Sequence, residues 1–290
     1  KIRKNRVAKG NYKNLSLSEA RKRKYNIDWE TYKIPVPIIQ NLQVFEDYPL
    51  VDIVDYIDWS PFFHAWEMKG VYPKILDDKK YGDEARKLYE DGRSMLDNII
   101  SSRHLSAKAV IGIYPAYAKD ETVYLENMNF HFPRQLIDKG INNSNYSLAD
   151  FIAPSNDYIG IFAVTTGYGV EELVTKYKKQ NDDYNAIMVK IIADRLAEAF
   201  GEQLHEKVRR EFWGYAYDEV LNTEELIKEK YRGIRPAPGY PACPDHSEKD
   251  KIWKILNVEE NTGITLTENR AMYPTASVCG WFFSHPESKY

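Results

Sequence analysis

The stretch Arg235-Pro236-Ala237-Pro238-Gly239-Tyr240-Pro241-Ala242-Cys243-Pro244-Asp245-His246 gathers residue types suited to holding a small charged molecule. Four prolines fall within nine residues. Each sets φ near −65° and removes a backbone N–H, and each pushes the residue before it to extended geometry. The backbone is therefore stiff, and the N–H groups left at Ala237, Gly239, Tyr240, Ala242 and Cys243 point in set directions. Gly239 permits positive φ or a close backbone approach. Arg235 offers a planar donor fork that matches a carboxylate, and Tyr240 offers a ring face with a polar tip. Such a set can hold a small zwitterion carrying a flat heterocycle. A Pro-rich turn that merely joins two helices has the same punctuation, and local physics leaves both readings open.

Carboxylates supply the other candidate chemistry. A long helix is expected after Asp182-Asp183, which can cap it, running to about Trp213. Met188, Ile192, Leu196, Phe200, Leu204 and Val208 form an i+4 ladder along one side. Asp194, Glu198 and His205 share an azimuth with Ile187 and Ile191 to within about 20–40°, so an apolar stripe turns acidic partway along. Like charges at i,i+4 repel mildly; a nearby cation, whether Arg195, an arginine from another segment or a cationic group on a ligand, reverses the sign. The alternative is a stripe rotating out into solvent. Asp58, between Ile57 and Trp59, reads locally as a helix N-terminal cap. Glu198 and His205 carry no metal-site spacing, since HExxH is absent.

The elements that must position these groups follow in order. Residues 1–40 read as a polar leader ending in Pro35-Val36-Pro37. Leu50, Ile53, Val54 and Ile57 have helical spacing after Pro49, and a second helix follows Asp58-Trp59-Ser60-Pro61 with Phe62, Phe63 and Trp66 inward. Gly82 to Ser102 reads as a longer helix. Ala109–Tyr114 and Thr122–Leu125 flank an acidic turn and predict a hairpin; Asp157–Val164, Gly263–Glu268 and Thr275–Phe283 are further strands. Gly167-Tyr168-Gly169 lacks the third glycine of a dinucleotide loop and reads as a turn. Asp245 or Ser247 can cap a helix through Leu256, with His246 in its first turn. Strands are not each followed by a helix, so the expectation is α+β: a twisted antiparallel sheet with several flanking helices, not a Rossmann fold.

The pattern R-x-x-x-G-Y, standing as Arg235, Gly239 and Tyr240, resembles the S-adenosylmethionine site of the activation domain of cobalamin-dependent methionine synthase. Three more blocks resemble that family in the family's order: DYIDWSPFF (Asp55 to Phe63), the run from Ile187 to Tyr215, and the closing SHPESKY (Ser284 to Tyr290). Coverage is nearly the whole chain after about residue 40. The resemblance implies that Asp58, Arg235, Gly239, Tyr240, Ala242 and Tyr290 bind S-adenosylmethionine, with Arg235 at its carboxylate and Asp58 at its ammonium. It places Glu198, Glu229 and His246 as supporting or cobalamin-facing groups. Family members continue past the tyrosine matched by Tyr290; the sequence stops there, which leaves the far wall of the site in question.

What the resemblance implies for function is reductive methylation. A cobalamin oxidised to the inactive cob(II) state takes one electron from flavodoxin or a similar reductase, and the cob(I) form attacks the sulfonium methyl. The corrin and a zinc site belong to other modules, because neither D-x-H-x-x-G nor a zinc triad occurs here. Alone, this stretch binds the methyl donor without turnover. A free-standing reactivator of another corrinoid protein and a non-catalytic docking module for a flavoprotein are the alternatives.

Composition is compatible with that role. At 290 residues the chain can build a sizeable core. The net charge of −3 hides an asymmetry: residues 1–24 carry ten Lys and Arg against Glu19 alone. A basic leader can bind an acidic neighbour or nucleic acid; a solvated linker is the preferred reading, giving residues 1–40 as linker and 41–290 as the domain, with no nucleic acid as partner. Two Cys without CxxC exclude a disulfide framework and suit a reducing compartment. No apolar run approaches the ~18 residues that span a bilayer, no signal peptide opens the chain, and a cytoplasmic location is expected. Starting at Lys1, the chain reads as a piece of something longer.

Overall fold

The computed structural model describes residues 13–290. At its centre lies a wholly antiparallel sheet of β1 (Gln43–Tyr48), β2 (Ser106–Lys119), β3 (Thr122–Tyr124), β4 (Asn129–His131), β5 (Asp157–Tyr168) and β8 (Ser277–Phe282). The order is β4-β3-β2-β5-β8, with β1 also on β2. Strand β2 is long enough to take two partners on one edge. Its first half pairs β1 (Val110 opposite Val44) and its end pairs β3 (Ala118 opposite Val123). Its other edge follows β5 from Ser106–Tyr168 to Ala116–Asp157, and the sheet curls. A short ribbon of β6 (Thr265–Leu266) and β7 (Met272–Tyr273) stands apart. The α+β, antiparallel expectation holds.

Alternation sorts the sheet's side chains to two cores. Phe162 and Val164 of β5 face the helices α2 (Ser60–Ala65), α3 (Gly82–Ser101), α4 (Val170–Lys179) and α5 (Asp183–Lys207). Ile159, Ile161 and Ala163 face α7 (Glu248–Leu256) and α8 (Val258–Thr262). The i+4 ladder from Met188 to Val208 is fully buried, each large side chain contributing about 1.5–3 kcal/mol relative to exposure. Asp182 caps α5 by accepting from Asn185 N–H at 3.0 Å. The helix ends in a wider π-turn over Val208–Phe212, short of a regular helix to Trp213.

Several local expectations are corrected. Leu50–Ile57 forms two 3₁₀ turns, Leu50–Asp52 and Val54–Tyr56, and no α-helix; so short a run, bounded by Pro49 and an extended Ile57, cannot offset the cost of helix nucleation. Gly169, at φ 92°, turns β5 directly into α4, which periodicity did not reveal. The strand expected over Gly263–Glu268 is reduced to Thr265–Leu266. Residues 13–40 pack along the domain. Helix α1 (Leu17–Lys22) carries a Ser16–Glu19 capping box, Trp213 Nε1–H donates to Pro35 C=O at 2.9 Å, and Ile39 N–H donates to Phe212 C=O at 2.8 Å. The remainder of the basic leader lies outside the described residues. Among the described residues, no helix is long and apolar enough to cross a membrane.

Candidate functional site

Strand β8 is the last in its sheet, and such an edge exposes unpaired N–H and C=O groups. The chain from Ile234 to Pro236 covers it. Ile234 and Phe283 exchange backbone bonds of 3.1 and 3.0 Å, and Trp281 N–H donates to Pro236 C=O at 3.0 Å. Proline serves there because only its carbonyl is needed. Gly280 lets that carbonyl come close: a Cβ at this position would lie 2.2 Å from it. Farther on, Gly239 takes φ 96°, and a Cβ there would strike the His246 ring at 2.3 Å. Gly239 N–H donates to Cys243 C=O (2.8 Å) and Cys243 N–H to Tyr240 C=O (2.9 Å). Buried Cys243 anchors this turn, and Tyr240 stands out from it, 62% exposed. The Pro-rich stretch is thus a rim built on the sheet edge, not a free connector.

From that rim the Arg235 side chain reaches back to α5, where Gly201 makes room; a Cβ on Gly201 would lie 2.5 Å from Nη1. Arg235 Nη2–H donates to Glu202 at 3.0 Å, while Nε–H is buried without a partner. The other Glu202 oxygen is also buried and unpartnered, 3.9 Å from an equally unpartnered Nη1 of Arg209. Arg209, fully buried, pairs with Glu219 and lies 4.2 Å over the Tyr231 ring. Burial alone would lower the pKa of Arg235, but Glu202, with Tyr231 and Glu198, keeps it above the ordinary arginine value. Burial and the Glu202 charge push the Glu229 carboxyl up against the pull of Arg235. Tyr290 keeps 48% of its surface exposed, yet desolvation of its packed side and the Glu229 charge push its pKa up to about 12. Its oxygen accepts Arg235 N–H at 3.3 Å, so its own proton is left to donate elsewhere.

Arg235, Glu229 and Tyr290 border a cavity of about 690 Å³, a size typical of small-molecule sites. Phe162, Val278, Pro236, Ala237, Pro241 and Ala242 make it largely apolar; Glu198, Glu229, Arg235 and Tyr290 bring polar atoms, and Gln135–Lys139 closes another side. A second cavity of about 240 Å³ shares Glu198, Glu229 and Arg235 and adds Asp58, Arg195 and Glu202. An apolar compartment beside a charged one suits a heterocycle joined to a zwitterion.

Residues 49–290 match the family described as the activation domain of vitamin B12-dependent methionine synthase. The chain belongs to this family. A similar solved structure is the crystal structure of a MetH reactivation domain bound to AdoHcy, 46% identical, with a TM-score of 0.91 over 96% of this chain and 88% of that one. In this activation domain Arg235, Tyr240, Ala242, Tyr290, Glu198 and Glu229 converge on the larger cavity. Asp58 borders the smaller one, and its Oδ1 accepts Ser60 N–H at 2.8 Å; the N-cap position of α2 falls to Trp59, so Asp58 stands one residue ahead of the expected cap and faces the cleft. Gly239 and His246 sit behind the rim. Asp245 accepts Ser247 N–H at 2.8 Å, which leaves exposed His246 ahead of α7 and not in its first turn.

The acidic stripe divides. Glu198 borders both cavities, but Asp194 is exposed beside Arg195 at 3.8 Å and Ile187 is half exposed, so the stripe begins in solvent. His205 is fully buried, stacked on Phe282 at 5.0 Å, and burial followed by Arg209 and Arg235 drives its pKa well below the ordinary value. Sequence reasoning missed Gly201 and Glu202; the i+4 step after Glu198 was the available signal for the latter. Gln135–Lys139 has no periodicity and gave none.

Proposed function

We propose that this activation domain binds S-adenosylmethionine across the two cavities and presents its methyl group to a cobalamin carried by a neighbouring module. The oxidised, inactive cofactor is thereby remethylated, with an electron from flavodoxin or a similar reductase, inside a full-length methionine synthase. The cobalamin supplies the nucleophile when docked; everything else here concerns binding. Arg235 takes the ligand's carboxylate, Asp58 its ammonium, Glu198 lies near the sulfonium, the apolar cavity under the rim takes the adenine, and the free Tyr290 proton donates to the ligand. Methyl displacement moves no proton, so the protein's share is to hold the donor in line. The observation that carries this reading is Arg235, partly buried, tied to Glu202 at one nitrogen and with a buried, unpartnered Nε, beside a largely apolar cavity. The AdoHcy bound by the similar reactivation domain supports the ligand class.

The test is titration of S-adenosylmethionine and S-adenosylhomocysteine into the wild-type chain and Glu198→Gln. Deleting one charge near the sulfonium removes on the order of 1 kcal/mol from the cationic ligand alone. The ratio of the two dissociation constants should shift about fivefold. Equal losses would restrict Glu198 to a structural role, and a wild-type chain that binds neither ligand would overturn the reading.

A further inference from the structure

Ser284–Tyr290 belongs to no helix or strand, yet it ends on the phenol at the cavity. Its own backbone restrains it little: Ser288 N–H donates to His285 C=O at 3.1 Å and Glu287 N–H to His285 Nδ1 at 3.2 Å. The rest of its support comes largely from residues that precede the family-matched region. Trp29 meets the His285 ring edge-on at 5.1 Å and Tyr32 tilts over it at 4.4 Å, leaving His285 4% exposed. The Lys289 ammonium sits 4.7 Å over Tyr25 and 4.8 Å over Tyr146. Arg232 donates to both Ser284 C=O (2.9 Å) and the Tyr32 hydroxyl (2.7 Å).

The same segment holds the opposite wall. Leu15 N–H donates to Leu136 C=O at 2.8 Å, Asp138 N–H donates to Lys13 C=O at 2.9 Å, and Arg23 pairs with Asp138 at 2.7 Å. Leu136, Ile137 and Lys139 border the cavity. The segment has its own anchors as well. Arg21 pairs with Glu121, which is locked to the buried Arg134 at 2.8 Å.

We propose that residues 13–35 are a positioning strap that sets both loop walls of the cavity, Tyr290 on one side and Leu136–Lys139 on the other, so that undocking it weakens ligand binding while the sheet stays folded. Neither wall has a full strand ladder, and segments with few buried contacts open at small free-energy cost. The strap's aromatic rings and backbone bonds supply those contacts. Strap docking and ligand binding are therefore coupled, and the coupling runs both ways.

The affinity part rests on the ligand reading above; the positioning part does not. The experiment compares the wild-type chain with Tyr25→Ala/Trp29→Ala, with the milder Tyr25→Ala alone, and with Tyr25→Phe/Trp29→Phe. Amide exchange is followed at 284–290 and 135–139 without ligand, then S-adenosylhomocysteine is titrated. Both walls should exchange about tenfold faster in the alanine variants while β5 and β8 stay protected, affinity should fall roughly 5–20-fold, and the phenylalanine variant should resemble wild type. If the double variant unfolds, Tyr25→Ala decides. Unchanged exchange at 284–290 in a folded variant, or faster exchange with unchanged affinity, overturns the strap. A wild-type chain that fails to bind overturns the ligand reading instead, and the exchange data alone then judge the strap.

Discussion

Arg235 is where the chemistry of single residues is most sharply set. Its fork lies against the α5 backbone at Gly201, one nitrogen bonded to Glu202 and one unpartnered. Lysine keeps the charge but has no planar fork, and its ammonium cannot reproduce the geometry by which one guanidinium holds Glu202 on one nitrogen and presents others to a carboxylate. Arg235→Lys should therefore cost about 2–3 kcal/mol of binding, roughly 30–150-fold in the S-adenosylmethionine dissociation constant. Calorimetry on the folded variant checks it; an unchanged constant removes Arg235 from the site. Arg235 was legible from sequence because an arginine among prolines has few bland uses. Glu202 was not, because a glutamate on a helix ordinarily means a solvated face, and only the buried Arg209 three-dimensionally beside it gives it a different meaning.

At the scale of elements, the rim works because it is stitched to β8. Gly280→Val places a side chain where the Pro236 carbonyl now sits, 2.2 Å from the new Cβ. The loop must lift, losing the Trp281 bond and moving Arg235. Overpacking of this kind costs about 1–3 kcal/mol, and ligand affinity should fall more than about tenfold. Urea denaturation and titration together check it; a variant with wild-type stability and affinity would show that the rim does not depend on this contact. A glycine inside a strand pattern signals close backbone approach, but not what approaches. Helices α3 and α5 were readable because their apolar periods are long; the β2–β3 hairpin was found at its acidic turn, but Tyr117–Lys119, beyond the expected Ala109–Tyr114 strand, is what pairs with Thr122–Tyr124. The 50–57 run was misread because its spacing is helical over too few residues, and β1 escaped because Gln43–Tyr48 is an edge strand with mixed burial.

Across the whole molecule the least legible feature was the docking of residues 13–40, since the basic run over residues 1–24 reads as a solvated leader while Tyr25, Trp29 and Tyr32 do the packing. Its consequence reaches pH. His285, between Trp29 and Tyr32, accepts Glu287 N–H at Nδ1, which requires the neutral ring. Burial, then Arg232 against an opposing Glu287, lowers its pKa to about 4, below an ordinary value of about 6.5. A base whose folded pKa is depressed binds fewer protons in the native state. Its stabilising contribution is complete above about pH 6.5 and is lost as pH falls through about 4, a difference on the order of 2–3 kcal/mol. Asp157, raised to about 6 by burial against its two backbone bonds, acts in the opposite sense: its contribution is present at low pH and lost as pH rises through about 6. The wild-type profile sums both, so the informative quantity is the gap between wild type and His285→Gln, in which Asp157 cancels. In urea unfolding that gap should be widest at pH 7, narrower at pH 5.5 and nearly closed at pH 4. A gap constant across pH would mean that the ring's proton plays no part in fastening the segment that carries Tyr290.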